Sequence, residues 1–420
     1  NTIARSQSFI DWDKVREAAD DLDNQRKAIV EKVAPAAPAD AVDLLWQFMG
    51  LANRLFERCN DNNGEIIDIF HQACEDLGGI AKQANEPPQP LAEKTFEALK
   101  DNGFGQYDNL IQNLAPALGD EGLALLRTYF QDWREEPVST PPEAEREVIA
   151  FGRGGPLYKD ELDKNAKERV CSMALKDIAD AQGDVDAFIA QYDEKAKTFH
   201  RIATEIAQRL LAAGRAEEAL AFIDNADPPP QHFLPEYSFE NTRVACMEAL
   251  GQKSEAQTYR WQCFERTLEK EFLRAYLQNL PDFEDFEAEQ QALAYALQHP
   301  EFHRALDFLI NLPALEKASQ LVITRAGEID GNIYELLTPS ADALEGKYPL
   351  AATLLRRAMI DYILLNKKTS RYRHAARHLK ECDSLANTID NYEGFETHQA
   401  FRARLESHHG SKRSFWADVA

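Results

Sequence analysis

Apolar residues recur at spacings of three and four along most of this chain. Leu45, Phe48, Ala52, Leu55 and Cys59 form one such stripe. Phe199, Ile202, Ala203, Ile206 and Leu210 form a second, and Tyr372, Ala375, Ala376, Leu379, Cys382, Ala386 and Ile389 a third. Residues three or four apart lie on one side of an α-helix, so each stripe predicts a helix with one face turned to a core. Period-two alternation of β-branched residues, the mark of a half-buried strand, is absent over any useful length.

Three segments repeat one local pattern: an apolar helix, a glycine turn, then a shorter helix. Their turns are Ala181-Gln182-Gly183-Asp184, Ala213-Gly214-Arg215-Ala216 and Leu250-Gly251-Gln252-Lys253, with the glycines 31 and then 37 positions apart. A period near ~34 is that of tetratricopeptide-type hairpins, which cover their apolar faces by stacking on one another. Ala207 with Ala219, and Ala245 with Ala256, place small side chains where the paired helices would cross. Further helices are expected around 267–280, 284–298, 301–312, 314–327, 347–366 and 371–389. The last two read as a late hairpin whose turn, Asn366-Lys367-Lys368, lacks the glycine.

Breakers divide the chain. Asn85-Glu86-Pro87-Pro88-Gln89-Pro90 stops any helix, and Asp227-Pro228-Pro229-Pro230 separates two hairpins. Thr140, Pro141 and Glu143 fit the start of a helix, with Thr140 and Glu143 as a capping box. Gly152-Arg153-Gly154-Gly155-Pro156 follows closely. These clusters place the main boundary at 137–156. Residues 1–136 then form an irregular, HEAT-like helical region, and residues 157–420 a tetratricopeptide-like repeat region. The expected fold is all-α, a right-handed superhelical array of antiparallel helix hairpins, an α-solenoid.

The segment Leu55-Phe56-Glu57-Arg58-Cys59-Asn60-Asp61-Asn62-Asn63-Gly64-Glu65-Ile66 resembles a phrase of an uncharacterised bacterial all-helical family, a domain of unknown function. Phe9-Ile10-Asp11-Trp12, Leu114-Ala115-Pro116-Ala117-Leu118-Gly119 and His409-Gly410-Ser411-Lys412-Arg413-Ser414-Phe415-Trp416 carry the same resemblance across most of the chain. The second half is also similar to helical repeats that accompany some SWIM-type zinc-finger proteins, but the zinc-finger signature is missing. The resemblance implies a helical fold and no activity.

Composition narrows the setting. Of the 420 residues 28% are charged, and the net charge is −24. Such a surface repels nucleic acid and anionic lipid unless cations gather locally. No apolar run approaches the ~18–20 residues of a membrane span, so no membrane association is expected. Residues Asn1 to Ser8 are polar and carry no signal-peptide core. Six scattered cysteines (Cys59, Cys74, Cys171, Cys246, Cys263 and Cys382) form no C-x-x-C pair and point to a reducing, cytoplasmic setting.

Candidate chemistry is sparse. Asp61 to Glu65 offers a turn rather than a calcium loop, because Cys59 and Phe70 stand where an EF-hand needs carboxylates. His374 and His378 share a helix face, but no third metal ligand accompanies them and Ala375 stands where a zincin has glutamate. They read as solvated side chains. His299 lies outside the helix that Pro300 begins. No phosphate loop, nucleophile elbow or H-E-x-x-H occurs, so no catalytic residue, metal or cofactor is assigned.

One local excess of positive charge remains. Arg356, Arg357, Lys367, Lys368, Arg371, Arg373, Arg377 and Lys380 are opposed within their stretch by Asp361 alone. Arg373, Arg377 and Lys380 fall on one side of a helix. These eight residues are the candidate site, for an acidic partner segment or for nucleic acid. The alternative is that they answer the protein's own carboxylates. The expected function is a non-catalytic scaffold that captures a peptide or partner protein in a groove lined by 201–212 and 241–250. Nucleic-acid association and an enzyme with an unrecognised site stand as the alternatives.

Overall fold

Helix-forming stripes and glycine punctuation become an all-α fold in the computed structural model. It describes residues 8–138, 141–142, 145–152, 155–227, 237–281 and 283–419. The chain divides into two compact units, Asn1–Asp227 and Pro228–Ala420. The division falls at the proline run after Asp227. The expected boundary at 137–156 lies inside the first unit.

The first unit contains α1 (Val15–Ala28), α2 (Pro38–Met49), α3 (Ala52–Phe56), α4 (Glu65–Ala84), α5 (Pro88–Lys100), α6 (Leu110–Glu135), α7 (Lys159–Gln182), α8 (Val185–Ile189), α9 (Glu194–Lys197), α10 (His200–Ala212) and α11 (Ala216–Asp224). Each main helix rests on others one to three places along the chain. Thus α4 meets α1, α2 and α6, while α6 also meets α5 and α7. Leu45, Phe70, Leu77, Leu114, Leu126 and Phe130 are buried in their shared core. The turn before α4 is built as its residues suggest. Gly64 takes a positive φ of 76°, and the Asp61 carboxylate accepts from the backbone N–H groups of Ile66 and Ile67.

The segment expected to be a linker carries a short antiparallel hairpin, β1 (Val148–Gly152) with β2 (Gly155–Tyr158). Every residue of β1 is exposed. A strand with no buried face shows no alternation of apolar and polar residues, so periodicity could not reveal it. Arg146 fastens its base, lying 3.8 Å over the Tyr158 ring and donating to Asp160 and Glu161. Thr140 and Glu143, the expected capping box, lie outside the described residues.

The second unit contains α12 (Tyr237–Ala249), α13 (Lys253–Thr267), α14 (Lys270–Leu277), α15 (Glu284–Gln298), α16 (Phe302–Asn311), α17 (Leu315–Thr324), α18 (Tyr334–Leu344), α19 (Pro349–Leu365), α20 (Tyr372–Leu385), α21 (His398–His409) and α22 (Arg413–Val419). Again neighbours pack: α18 on α19, α19 on α20 and α17, and α20 on α22. Helix α19 is apolar nearly all round and is buried along most of its length.

The three glycine turns close identically. Gly183, Gly214 and Gly251 have φ of 67°, 74° and 76°. The next residue's N–H reaches back five positions in each: Asp184 to Ala179, Arg215 to Leu210, and Gln252 to Met247. This is the Schellman closure, which satisfies helix-end carbonyls through one left-handed residue. The α19–α20 turn repeats it without glycine. Lys367 supplies the left-handed residue, with φ of 52°, and Lys368 N–H donates to the Ile363 carbonyl at 3.0 Å. Ala207, Ala219 and Ala256 are buried. Ala245 is exposed instead, and Cys246 beside it takes the buried position.

A methyl group at Gly214 would meet open space, so replacing it tests backbone strain alone. Gly214→Ala is expected to cost about 1 kcal/mol, and Lys367→Gly to gain up to about 1 kcal/mol. Urea denaturation midpoints should move in opposite directions at unchanged slope.

Candidate binding cleft

Burying α19 carries two arginines inside. Arg356 is 1% exposed and Arg357 5%. A guanidinium remains charged at any ordinary pH, so each must find partners within the fold. The Arg356 Nη2 donates to Asp342 Oδ1 at 2.8 Å and to Glu345 Oε2 at 2.7 Å. Its Nε lies 2.9 Å from Glu381 Oε2 as an ion pair, but off the line of a hydrogen bond. Arg357 Nη1 donates to the Glu396 carbonyl at 2.6 Å, and its guanidinium lies 4.6 Å over the Phe401 ring. These two residues of the candidate set therefore answer the protein's own groups and leave the surface.

The other cations separate by position. Lys367 and Lys368 are exposed in the turn. Arg371, Arg373, Arg377 and Lys380 line two concavities that share His374 and Arg377. The first, of about 330 Å³, lies among α18, α19 and α20. Met359, Ile363, Tyr334 and Pro339 give it an apolar lining, while Glu335, Arg371, His374 and Arg377 add polar groups. The Thr338 hydroxyl donates to Met359 Sδ at 3.5 Å. Arg371 lies 4.4 Å over the Tyr334 ring. The second, of about 510 Å³, is lined by Arg373, His374, Arg377, Lys380 and Asp418. Gly331 admits the cleft's loop wall close to α19, since a Cβ there would stand 2.1 Å from the Ala358 carbonyl oxygen.

His374 and His378 separate in environment. His374 is exposed, whereas His378 is 3% exposed and its Nδ1 lies 2.9 Å from Glu381 Oε2. The expectation of two solvated imidazoles fails for His378, because it falls on the side of α20 that buries Ala375, Leu379 and Cys382. Burial holds its pKa below the usual imidazole value, against the opposing pull of Glu381. Arg377 and Arg356 also disfavour its charged form. Asp361, the carboxylate expected to oppose the basic run, instead pairs with Arg404.

Arg371 and Arg377 line the first concavity, and Arg373, Arg377 and Lys380 the second. Neither concavity is lined by a serine or cysteine. Among the described residues no group of three or more His, Cys, Asp or Glu could hold a metal ion. All six cysteines are free, and burial pushes the thiols of Cys74, Cys263 and Cys382 up to about 12. Elsewhere in this unit, buried Glu240 accepts from the Tyr259 hydroxyl and from Arg266, both at 2.5 Å. The residues expected to line a peptide groove, 201–212 and 241–250, belong to different units. Tyr334, Thr338, Met359 and Ile363 had no signature of their own; they reach the cleft only because α18 and α19 fold against α20.

Arg356→Ala is expected to cost about 3 kcal/mol, the low end for breaking a buried pair, because the three carboxylates remain partly wet. Calorimetric melting of the variant would measure it. Acid should also weaken the fold. His378, His299 and His409 all have pKa values lowered by burial. Below about pH 6.5 the unfolded chain binds protons that these folded sites refuse, so stability falls by up to about 1.4 kcal/mol per pH unit for each histidine. Asp177 in α7 acts oppositely: burial raises its carboxyl to about 6, so its proton uptake partly offsets the loss below that pH. Thermal melts from pH 7.5 to 5.5 should fall, and His378→Asn should flatten the slope.

Comparison with known proteins adds a family and no activity. No curated protein matches the chain. Among solved structures it is similar to a circular tandem repeat protein with novel repeat topology and enhanced subunit contact surfaces, at 13% identity. That match covers 97% of this chain and 91% of the other, with a TM-score of 0.14. Among the described residues no helix is long and apolar enough to cross a membrane. A family model matches residues 1–418, and the chain belongs to that family, a family of unknown function designated DUF6880.

Proposed function

We propose that this protein is a non-catalytic interaction scaffold whose second unit binds a short acidic segment of a partner protein. The segment seats an apolar side chain against Tyr334 and Pro339, above the buried Met359 and Ile363. Its carboxylates meet Arg371 and Arg377, with Arg373 and Lys380 extending the positive rim. The carrying observation is an apolar-lined cavity edged by Arg371 and Arg377, beside a second lined by Arg373 and Lys380, on a chain of net charge −24. Its 330 Å³ lies at the small end of the ~300–1,000 Å³ typical of ligand pockets, which suits one side chain better than a cofactor. Charge selects the partner and speeds encounter, while the apolar contact holds it. Six free thiols suit a reducing, cytoplasmic setting.

A nucleic-acid role draws on the same cations, and salt separates the two. A protein contacting six to ten phosphates loses about 10³–10⁵ in affinity between 50 and 200 mM salt. A short fluorescent peptide alternating aspartate with leucine and phenylalanine should bind with roughly micromolar affinity and lose less than tenfold over that range. Arg371→Glu with Arg377→Glu should weaken it at least about tenfold, near 1.4 kcal/mol. Fluorescence polarisation reads both. Binding untouched by the charge reversal, or oligonucleotide binding with the steep salt loss, would sink the proposal.

A further inference from the structure

The second unit also displays a segment of the chemistry its cleft would recognise. Helix α15 begins after Phe283, which is 92% exposed and held at a φ of 74°. Phe286, one turn on, is 66% exposed. Glu284, Asp285 and Glu287 surround them, all exposed. The helix dipole accounts for carboxylates in a first turn. It gives no reason for two phenylalanines in water, one in a backbone region that non-glycine residues seldom occupy. Of this helix's buried residues, Ala288, Ala292 and Ala296 lie elsewhere on its surface and Leu293 lies two turns on from Phe286, while Phe283 is 92% exposed. Phe283 therefore occupies no cleft of its own chain.

We propose that the cleft's partner is a second copy of this protein, docked through its Phe283–Glu287 turn. This rests on the acidic-peptide reading above and names the peptide. A phenylalanine ring meets Tyr334 and Pro339 of the neighbouring copy. Glu284, Asp285 and Glu287 face that copy's Arg371, Arg377 and Arg373. Complementary charge argues for this occupant, since one chain carries both an acidic aromatic turn and a cationic apolar cleft. The two surfaces differ, so the contact is head-to-tail. Each added copy leaves a turn free at one end and a cleft at the other, and association continues unless a ring closes.

Sedimentation velocity of the full chain tests this. The mean sedimentation coefficient should rise with protein concentration and fall with salt, which screens the charge pairs. Phe283→Ser with Phe286→Ser should sediment as a monomer, and so should Arg371→Glu with Arg377→Glu. All four side chains lie at the surface, and melting curves check that both variants fold. Mixed in equal amounts, the two variants should form a one-to-one dimer that grows no further. Each retains the surface its partner lost. A wild-type chain that stays monomeric up to about 1 mM overturns the inference, as does a double variant that associates like wild type, or a mixture that fails to pair. If the cleft still binds the fluorescent peptide in any of these cases, only self-docking is lost. If peptide binding fails as well, the acidic-peptide reading falls with it.

Discussion

A guanidinium with no route to water organises the end of the second unit. Helix α19 is apolar nearly all round, and neighbours cover most of it. Arg356 enters the interior with the helix, and its charge cannot be shed. Asp342 and Glu345 come to it from α18, and Glu381 from α20. One side chain thus ties the helices on either side of α19, and the concavity among those three helices depends on where they are held. Buried ion pairs seldom add much stability relative to an apolar replacement, because both charges lose water. What this cluster supplies is position.

The same constraint shapes the charge around the cleft. Glu381 is shared among Arg356, His378 and Arg377, so its single negative charge is spread thinly. Asp361 is held by Arg404 on the other side of α19. Arg371, Arg373 and Lys380 line the concavities with Glu335 and Asp418, although the chain as a whole is strongly acidic. Local excess of one sign beside an apolar surface draws in and orients an oppositely charged segment.

Regular spacing made much of the fold legible. The helices around α15, α16, α17, α19 and α20 follow from apolar residues at three- and four-residue intervals, and the glycine turns from the need for one left-handed residue at each closure. Where the device is written with a lysine, at Lys367, sequence pattern alone does not distinguish it from an ordinary basic turn. The β1–β2 hairpin leaves no periodic signal in the sequence, because neither strand buries a face. The break between units follows the proline run after Asp227, while the earlier cluster of breakers only brackets that hairpin. Ala245 shows the limit of small-residue reasoning: one position along a helix turns a side chain by about 100°, from contact to solvent.

By itself the sequence determined a helical chain of hairpins, its turn chemistry, and a stretch of unusual positive charge. These are local properties, set by residues within a few positions of one another. Only the tertiary structure decided which of those charges belong together. Arg356 and Arg373 look alike in the chain, yet one is sealed among three carboxylates and the other borders a cleft. Tyr334 and Met359 line the neighbouring concavity from other helices. Exposure and contact between distant segments arise when apolar faces choose their partners, and that choice is made by packing across the whole unit.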